Sequence, residues 1–218
     1  MAGGKWCAAA CGRPGAAGFK KGVRFVSDSS ISFFKADLRS FEFTLYEHLH
    51  VEQLFEHDYF GHLTREDCDQ VLQQCLRFCD EATGPLNSGG DRCGCRLEDG
   101  TVTTPEGFKE AWATLYELGL PNFTASLEAG GFQGPVAVAV LLGGLQCGAN
   151  CSFNMYPALT GGALELIAEF GTEGEKKRFA EPMMNGRFSG TMCLSEPQAG
   201  SDVGAITTKA VHVEGSRY

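Results

Sequence analysis

The chain is 218 residues long, 43% hydrophobic and 21% charged, with 27 Asp and Glu against 18 Lys and Arg for a net charge of −9. That composition excludes wholesale disorder, and an acidic chain is no nucleic-acid binder without a clustered basic stripe. At about 150 residues per domain, the length amounts to roughly one and a half domains.

The only acid-free basic region is residues 1–27, with Lys5, Arg13, Lys20, Lys21 and Arg24; the rest holds 13 basic against 27 acidic side chains, a net −14. Its apolar run, Trp6 to Cys11, is broken by Gly12-Arg13-Pro14, too early for the apolar region of a secretory signal. No signal peptide is expected. Residues 1–33 read as a basic extension, either disordered or similar to an organelle transit peptide, so the expected location is intracellular, cytoplasmic or mitochondrial. Without secretion, the ten cysteines are expected to be thiols, and the sequons at Asn122 and Asn150 chance matches. No CxxC pair occurs, and His48, His50, His57 and His62 lack zinc-finger spacing to the cysteines, so no metal is expected.

Leu38, Phe41, Leu45, Leu49 and Phe55 recur at helical spacing, which predicts a helix or helix pair over 34–60. Thr64 with Asp67 is a capping pair, and Cys68, Val71, Leu72, Cys75, Leu76 and Cys79 form one apolar face, predicted to stop at Gly84-Pro85. Residues 87–103 are rich in Gly, Asp and Asn and read as an exposed loop. Thr104-Pro105-Glu106 predicts the next helix, with Thr104 as N-cap and a buried stripe of Phe108, Ala111, Trp112 and Leu115 up to Gly119. From Ala129 to Leu164 there is no charge and no histidine. The uninterrupted apolar part, Val136 to Leu142, is far short of the roughly 20 residues that span a bilayer, so no membrane span is expected; a helix over about 135–155, buried on all sides, is predicted instead. Thr160 to Phe170 is a further helix closed by Gly171, and Thr172 with Glu175 caps a short one ending near Pro182. Beyond it the grammar changes: 190–195 and 209–213 are short apolar or alternating runs around a Gly-rich turn, which predicts strands and a second domain.

Met192-Cys193-Leu194-Ser195-Glu196-Pro197-Gln198-Ala199-Gly200-Ser201-Asp202 carries the chemistry. A strand ending in a hydroxyl, followed by a Pro and Gly loop with a second hydroxyl and a carboxylate, exposes backbone N–H groups and short donors; such a loop can cradle a planar or phosphate-bearing ligand, and it is also an ordinary turn.

Cys193-Leu194-Ser195-Glu196, two free positions, Ala199-Gly200-Ser201-Asp202, two more, then Ala205 resembles the first signature of the acyl-CoA dehydrogenase family at every specified place. The similarity runs from about Phe34 to Ala210. Phe34-Lys35-Ala36-Asp37-Leu38, the Gly94 to Gly100 loop, Val102 to Ala111 and Met155-Tyr156-Pro157-Ala158-Leu159-Thr160 resemble the branch called 3-methylmercaptopropionyl-CoA dehydrogenase, whose usual Ala-Pro-Leu is Ala36-Asp37-Leu38 here. The resemblance implies a mainly α fold: the family's N-terminal helical bundle over 34–187, then the first strands of a truncated middle β-domain over 188–218.

It also implies FAD as cofactor, an acyl-CoA thioester as substrate, an electron-transfer flavoprotein as acceptor and a homo-oligomeric full-length enzyme. By position, Met192, Leu194, Ser195, Gly200 and Ser201 are the expected flavin-binding residues, with the Ser195 hydroxyl and N–H near N5 and O4 of the flavin. Ser201 is placed between the flavin phosphate and the substrate thioester, and Met192 puts a thioether where an aromatic ring is common. Glu196 and Asp202 are expected to shape the loop. The loop over 122–134 either approaches the acyl pocket or is an ordinary connection. The family's catalytic Glu lies in a C-terminal helical domain that these residues do not reach, so no catalytic residue is carried over. The chain is therefore expected to be inactive alone; the alternatives are a non-catalytic helical interaction module or a pseudoenzyme fragment.

Overall fold

The computed structural model describes residues 32–215 and 217, so the basic segment and its transit-like or disordered reading lie outside the described residues. The first helix, α1 (Leu38–Glu42), starts where the Asp37 carboxylate accepts the Arg39 N–H at 3.0 Å. It widens into π-helical turns over Phe43–His48, burying Leu45 and Tyr46, and breaks at His50, whose φ is 51°. A 3₁₀ turn over Val51–Glu56 completes the expected pair.

The Tyr46 hydroxyl donates to Asp69 Oδ1 at 2.7 Å, and the Arg65 guanidinium lies 4.0 Å from the centre of its ring. These contacts tie the π-helical turns after α1 to α2 (Arg65–Phe78), whose start is the reciprocal Thr64–Asp67 box. Helix α2 buries Cys68, Leu72, Cys75 and Phe78.

The stop expected at Gly84-Pro85 does not occur. A π-helical turn over Cys79–Thr83 leads directly into α3 (Gly84–Cys93), so the helical backbone runs on through Pro85 instead of stopping there. Half of the expected loop over 87–103 is thus helix. The other half is a hairpin of β1 (Arg96–Glu98) and β2 (Thr101–Thr103), with Leu97 opposite Val102. Its turn residues Asp99 and Gly100 have φ of 49° and 74°, as a type I′ turn requires.

Helix α4 (Phe108–Glu117) begins at Phe108 rather than Pro105, because Gly107, at φ 83°, is its N-cap and the Phe108 N–H closes a turn on the Pro105 carbonyl at 3.2 Å. The expected stripe holds: Phe108, Ala111 and Leu115 are buried, with Trp112 half-buried beside them.

The two helices expected over 135–170 are one 35-residue element, α5 (Val136–Phe170), and its break falls at Asn150, with φ −158° and ψ 90°. Asn150 is buried. Its Nδ2 donates to the Thr83 carbonyl at 3.1 Å, while its Oδ1 accepts the Phe153 N–H at 3.0 Å and the Ser152 hydroxyl at 2.9 Å. That is N-cap chemistry placed inside a helix, and it restarts the second half. By length and composition α5 suffices to cross a membrane, yet Val138, Leu142, Leu145, Ala149 and Phe153 are buried against the rest of the bundle. The burial is one-sided, contrary to the expectation of a helix covered all round: Val136 and Val140 remain 68% and 65% exposed.

The core is aromatic at its centre, where Phe153 of α5 meets Phe108 edge to face at 5.5 Å and Phe78 at 6.3 Å. Burying each such ring is worth about 2–3 kcal/mol. After α5, the Thr172–Glu175 box starts α6 (Glu173–Glu175), a π-helical turn covers Lys176–Ala180, and α7 (Glu181–Met184) ends the bundle.

The fold is mainly α, but its strands are not the expected ones. Residues 190–195 and 209–213 join no ladder among the described residues; beyond 188 the pairings are the isolated bridges Glu196–Ala199 and Glu214–Arg217, each closing a turn. The run from 190 to 195 has strand composition but no neighbouring strand to accept and donate its backbone bonds.

Candidate functional site

The helical body delivers the signature segment through three anchors. Trp112 Nε1 on α4 donates to the Gly186 carbonyl at 2.7 Å, and Asn122 Nδ2 donates to the Met184 carbonyl at 2.8 Å. Gly186 has φ 68°, and a Cβ there would stand 2.6 Å from the Tyr116 ring, so only glycine turns the chain at this point. The third anchor is Thr160 of α5, which is 1% exposed. Its hydroxyl donates to the Tyr156 carbonyl at 2.7 Å and accepts the Gly190 N–H at 3.1 Å.

Gly190 lies so close to α5 that an added Cβ would meet the Ala163 methyl at 2.6 Å, and the Met192 thioether fills the space above Gly162 in the same way, at 2.8 Å. Small residues on α5 therefore form the shelf on which 190–192 rests. The expected site residues that follow are open to solvent: Met192 and Leu194 are about half-exposed, and Ser195, Gly200 and Ser201 are exposed.

Glu196 and Ala199 exchange backbone hydrogen bonds at 2.9 and 3.0 Å, closing a tight turn with Ala199 buried at 2% exposure. This turn sets Ser195 and Gly200 on its two adjoining arms. The Glu196 carboxylate then reaches forward to accept the Thr207 N–H at 2.9 Å, the Thr208 N–H at 3.0 Å and the Thr207 hydroxyl at 3.1 Å. Gln198 Nε2 donates both to Glu196 and to Thr207 Oγ1. Bonds from Thr208 and then Thr207 draw the Glu196 carboxyl from its ordinary 4.5 down to about 2. Asp202 opens a 3₁₀ turn over Val203–Ala205, its carbonyl accepting the Ala205 N–H at 3.1 Å.

Ser195 and Ser201 hydroxyls have no partner among the described residues. Gly200 has open space where a Cβ would be. The loop is thus closed and internally bonded, while its two hydroxyls remain available to a ligand. That arrangement fits a flavin edge or a phosphate, and on it the five sequence-assigned residues share one loop. Thr160 and Gln198 are named in the sequence reading without their supporting bonds, and Thr207 and Thr208 are absent from it; nothing local in the sequence marks these bonds.

Residues 122–134 form a compact loop, with the Phe132 N–H bonded to the Asn122 carbonyl and the Gln133 N–H to the Ala125 carbonyl at 3.3 and 2.8 Å. His62 Nε2 contacts the Phe132 carbonyl at 2.9 Å. Between this loop and α2 lies a void of about 30 Å³ lined by Leu63, Cys68, Val71, Leu118, Phe123 and Phe132. It does not adjoin the signature segment. His48, His50 and His57 join no group of three metal-binding side chains among the described residues.

Residues 65–187 match the family described as acyl-CoA dehydrogenase, N-terminal domain. The chain is 34% identical over 159 residues to 3-methylmercaptopropionyl-CoA dehydrogenase of Ruegeria pomeroyi, a match covering 73% of this chain and 27% of that protein. It is 36% identical over 179 residues to a butyryl-CoA dehydrogenase of Syntrophomonas wolfei, covering 79% of this chain and 29% of that protein. The chain thus spans under a third of the length of these relatives. The solved structure of butyryl-CoA dehydrogenase from Megasphaera elsdenii shares the fold, with a TM-score of 0.53 at 24% identity over 67% of this chain and 36% of that one.

Proposed function

The chain belongs to the acyl-CoA dehydrogenase family, and on that footing we propose that it supplies the helical N-terminal domain (34–187) and the flavin-facing opening of the middle domain (188–218) of an FAD-dependent acyl-CoA dehydrogenase. The reaction is α,β-dehydrogenation of an acyl-CoA thioester. When bound, FAD supplies the acceptor of the β-hydride at N5.

The chain's own residues bind and orient. Ser195 offers its hydroxyl and N–H to the edge of the flavin where negative charge grows, and fixed donors in that position need no reorganisation. Met192 and Leu194 present apolar surface to the ring, with Met192 held by its packing against Gly162. Gly200 lets the ligand approach the backbone, and Ser201 donates between the flavin phosphate and the thioester. No residue of the chain is assigned the α-proton: a base needs free lone pairs aimed at that proton, whereas the Glu196 carboxylate is committed to its own loop. The base comes from outside these residues, the chain by itself is inactive, and in the whole enzyme the electrons leave to an electron-transfer flavoprotein.

The observation that carries this reading is the complete signature on a closed loop whose two serine hydroxyls are exposed and uncommitted. The test is titration of FAD into the purified 218-residue chain, followed by flavin fluorescence and visible absorbance. Binding is expected, weakened in Ser195→Ala, with no turnover of an acyl-CoA in the presence of an artificial acceptor. A flavin signal unchanged by the protein refutes the cofactor assignment, and turnover refutes the assigned inactivity.

A further inference from the structure

We propose that Glu196 is the positioning residue of the signature loop: together with Gln198, Thr207 and Thr208 it forms a clasp that fixes where Ser195 and Ser201 stand before any ligand arrives. The inference rests on reading the loop as a flavin cradle and extends it to residues outside the signature.

The argument starts from the backbone. Residues 188–213 join no ladder among the described residues and are mostly exposed, so their conformation depends on local hydrogen bonds and not on a sheet. One carboxylate provides several of them at once. Glu196 Oε1 takes the Thr208 N–H and Oε2 takes the Thr207 N–H, at 3.0 and 2.9 Å. The Thr207 hydroxyl, which donates to Oε2 at 3.1 Å, accepts in turn from Gln198 Nε2 at 2.8 Å, and the same amide also reaches Glu196. The result is a closed ring of donors and acceptors with consistent polarity. An ionised carboxylate is the one side chain of this size that only accepts, on both oxygens, and its depressed pKa agrees with that role.

The clasp brackets residues 197–206, a span that contains Gly200 and Ser201. The backbone exchange between Glu196 and Ala199 pins the near end of the span beside Ser195, and Thr207 and Thr208 pin the far end. Without the clasp, Ser195 would still be held from its N-terminal side through Gly190 and Thr160. Ser201 would keep the Glu196–Ala199 backbone exchange on one side and the turn over Val203–Ala205 on the other, with nothing to tie the two together. The two hydroxyls are therefore registered to each other through Glu196.

Glu196→Gln keeps the shape but places an NH₂ against backbone donors on one side, opening the ring; Thr207→Val removes only the hydroxyl link, and Thr207→Ser restores it. On the full 218-residue chain, amide hydrogen exchange and two-dimensional NMR test the clasp without any cofactor. Wild type is expected to protect the Thr207 and Thr208 amides about tenfold relative to Lys209 and Val211. Glu196→Gln is expected to abolish that protection and shift the Ser195 and Ser201 resonances, with far-UV circular dichroism unchanged; Thr207→Ser matches wild type. Unprotected Thr207 and Thr208 amides in wild type, or Ser195 and Ser201 resonances unmoved by Glu196→Gln, overturn the clasp.

FAD titration supplies the second arm, where Glu196→Gln is expected to weaken binding about tenfold, the scale of one lost charge-assisted hydrogen bond. Equal FAD affinity in wild type and Glu196→Gln also overturns the positioning role. If wild type itself binds no FAD, the cofactor reading falls, and the exchange and resonance data decide the clasp by themselves.

Discussion

Thr160→Val isolates the link between the helical body and the signature segment. Valine has nearly the shape of threonine, so the α5 shelf stays filled and the change is confined to hydrogen bonding. The bond the hydroxyl donates to the Tyr156 carbonyl is dispensable, since that carbonyl lies at the i−4 position and helix N–H groups already serve it, and its contact with the Gly190 carbonyl is long at 3.5 Å. The bond it accepts from Gly190 at 3.1 Å is different, because it leaves a half-buried amide without a partner. An unsatisfied buried donor costs about 1–3 kcal/mol, and the added methyl returns up to about 0.8 kcal/mol of burial. The net loss is about 1.5 kcal/mol. For a chain of this size that lowers Tm by roughly 3–6 °C, measured by calorimetry or by urea denaturation followed by circular dichroism. The local signature is sharper: Gly190 amide exchange rises in Thr160→Val but stays slow in Thr160→Ser, which keeps the acceptor. A Gly190 amide that exchanges equally in wild type and Thr160→Val refutes the anchor, whatever the change in Tm.

Asn150→Ala removes both the cap on Phe153 and the bond to the Thr83 carbonyl, and about 2–3 kcal/mol of stability is expected to go with them; a loss under 1 kcal/mol in chemical denaturation contradicts the internal cap. Thr83→Val acts in the opposite direction, since the Thr83 hydroxyl is buried without a partner among the described residues: a gain of about 1 kcal/mol is expected, and a destabilised variant shows that the hydroxyl is satisfied in solution. Glu196 is expected to titrate near 2 by carbon-detected NMR, well below an ordinary glutamate. Because its folded pKa is depressed, the clasp is complete above about 4.5 and weakens as pH falls towards 2; a midpoint at 4.5 removes the carboxylate's bonds. Burial, with Asp67 and Asp69 nearby, pushes the Cys68 thiol up to about 12, and Cys75 and Cys79 are buried as well. Mass-mapped alkylation of the native chain is expected at Cys93, Cys95, Cys147, Cys151 and Cys193 and absent at Cys68, Cys75 and Cys79; labelling of the latter three before unfolding refutes that packing.

What could be read from the sequence is what lies close together along it. The Thr64–Asp67 and Thr172–Glu175 boxes are each decided within four residues, and both form as expected. The expected starts and stops failed where a neighbour changed the meaning of a signal. Gly84-Pro85 reads as a stop, yet the π-helical turn before it carries the backbone on into α3, and Asp99-Gly100, read as loop composition, is a I′ turn once the flanking residues pair. The gap expected between a helix ending near Met155 and another starting at Thr160 does not occur, and Pro157 lies inside the helix. The break belongs to Asn150, whose side chain finds Thr83 across the bundle. The runs at 190–195 and 209–213 fail for the complementary reason, since strand composition is local but a ladder needs another strand.

The candidate site divides along the same line. Its ligand-facing residues are contiguous and legible, whereas its supports, Thr160 on α5 and the two threonines beyond the signature, act over 30, 11 and 12 residues through backbone N–H groups that every residue type but proline shares. Glu196 shows why side-chain chemistry alone misleads. By side-chain chemistry a carboxylate next to Ser195 is a tempting acid, although the family resemblance assigns it to shaping the loop. In the fold, four donors occupy it; the bonds that hold it ionised also engage the lone pairs with which a base would take a proton. The same contacts therefore argue against catalysis by Glu196 and for its part in setting the geometry of Ser195 and Ser201.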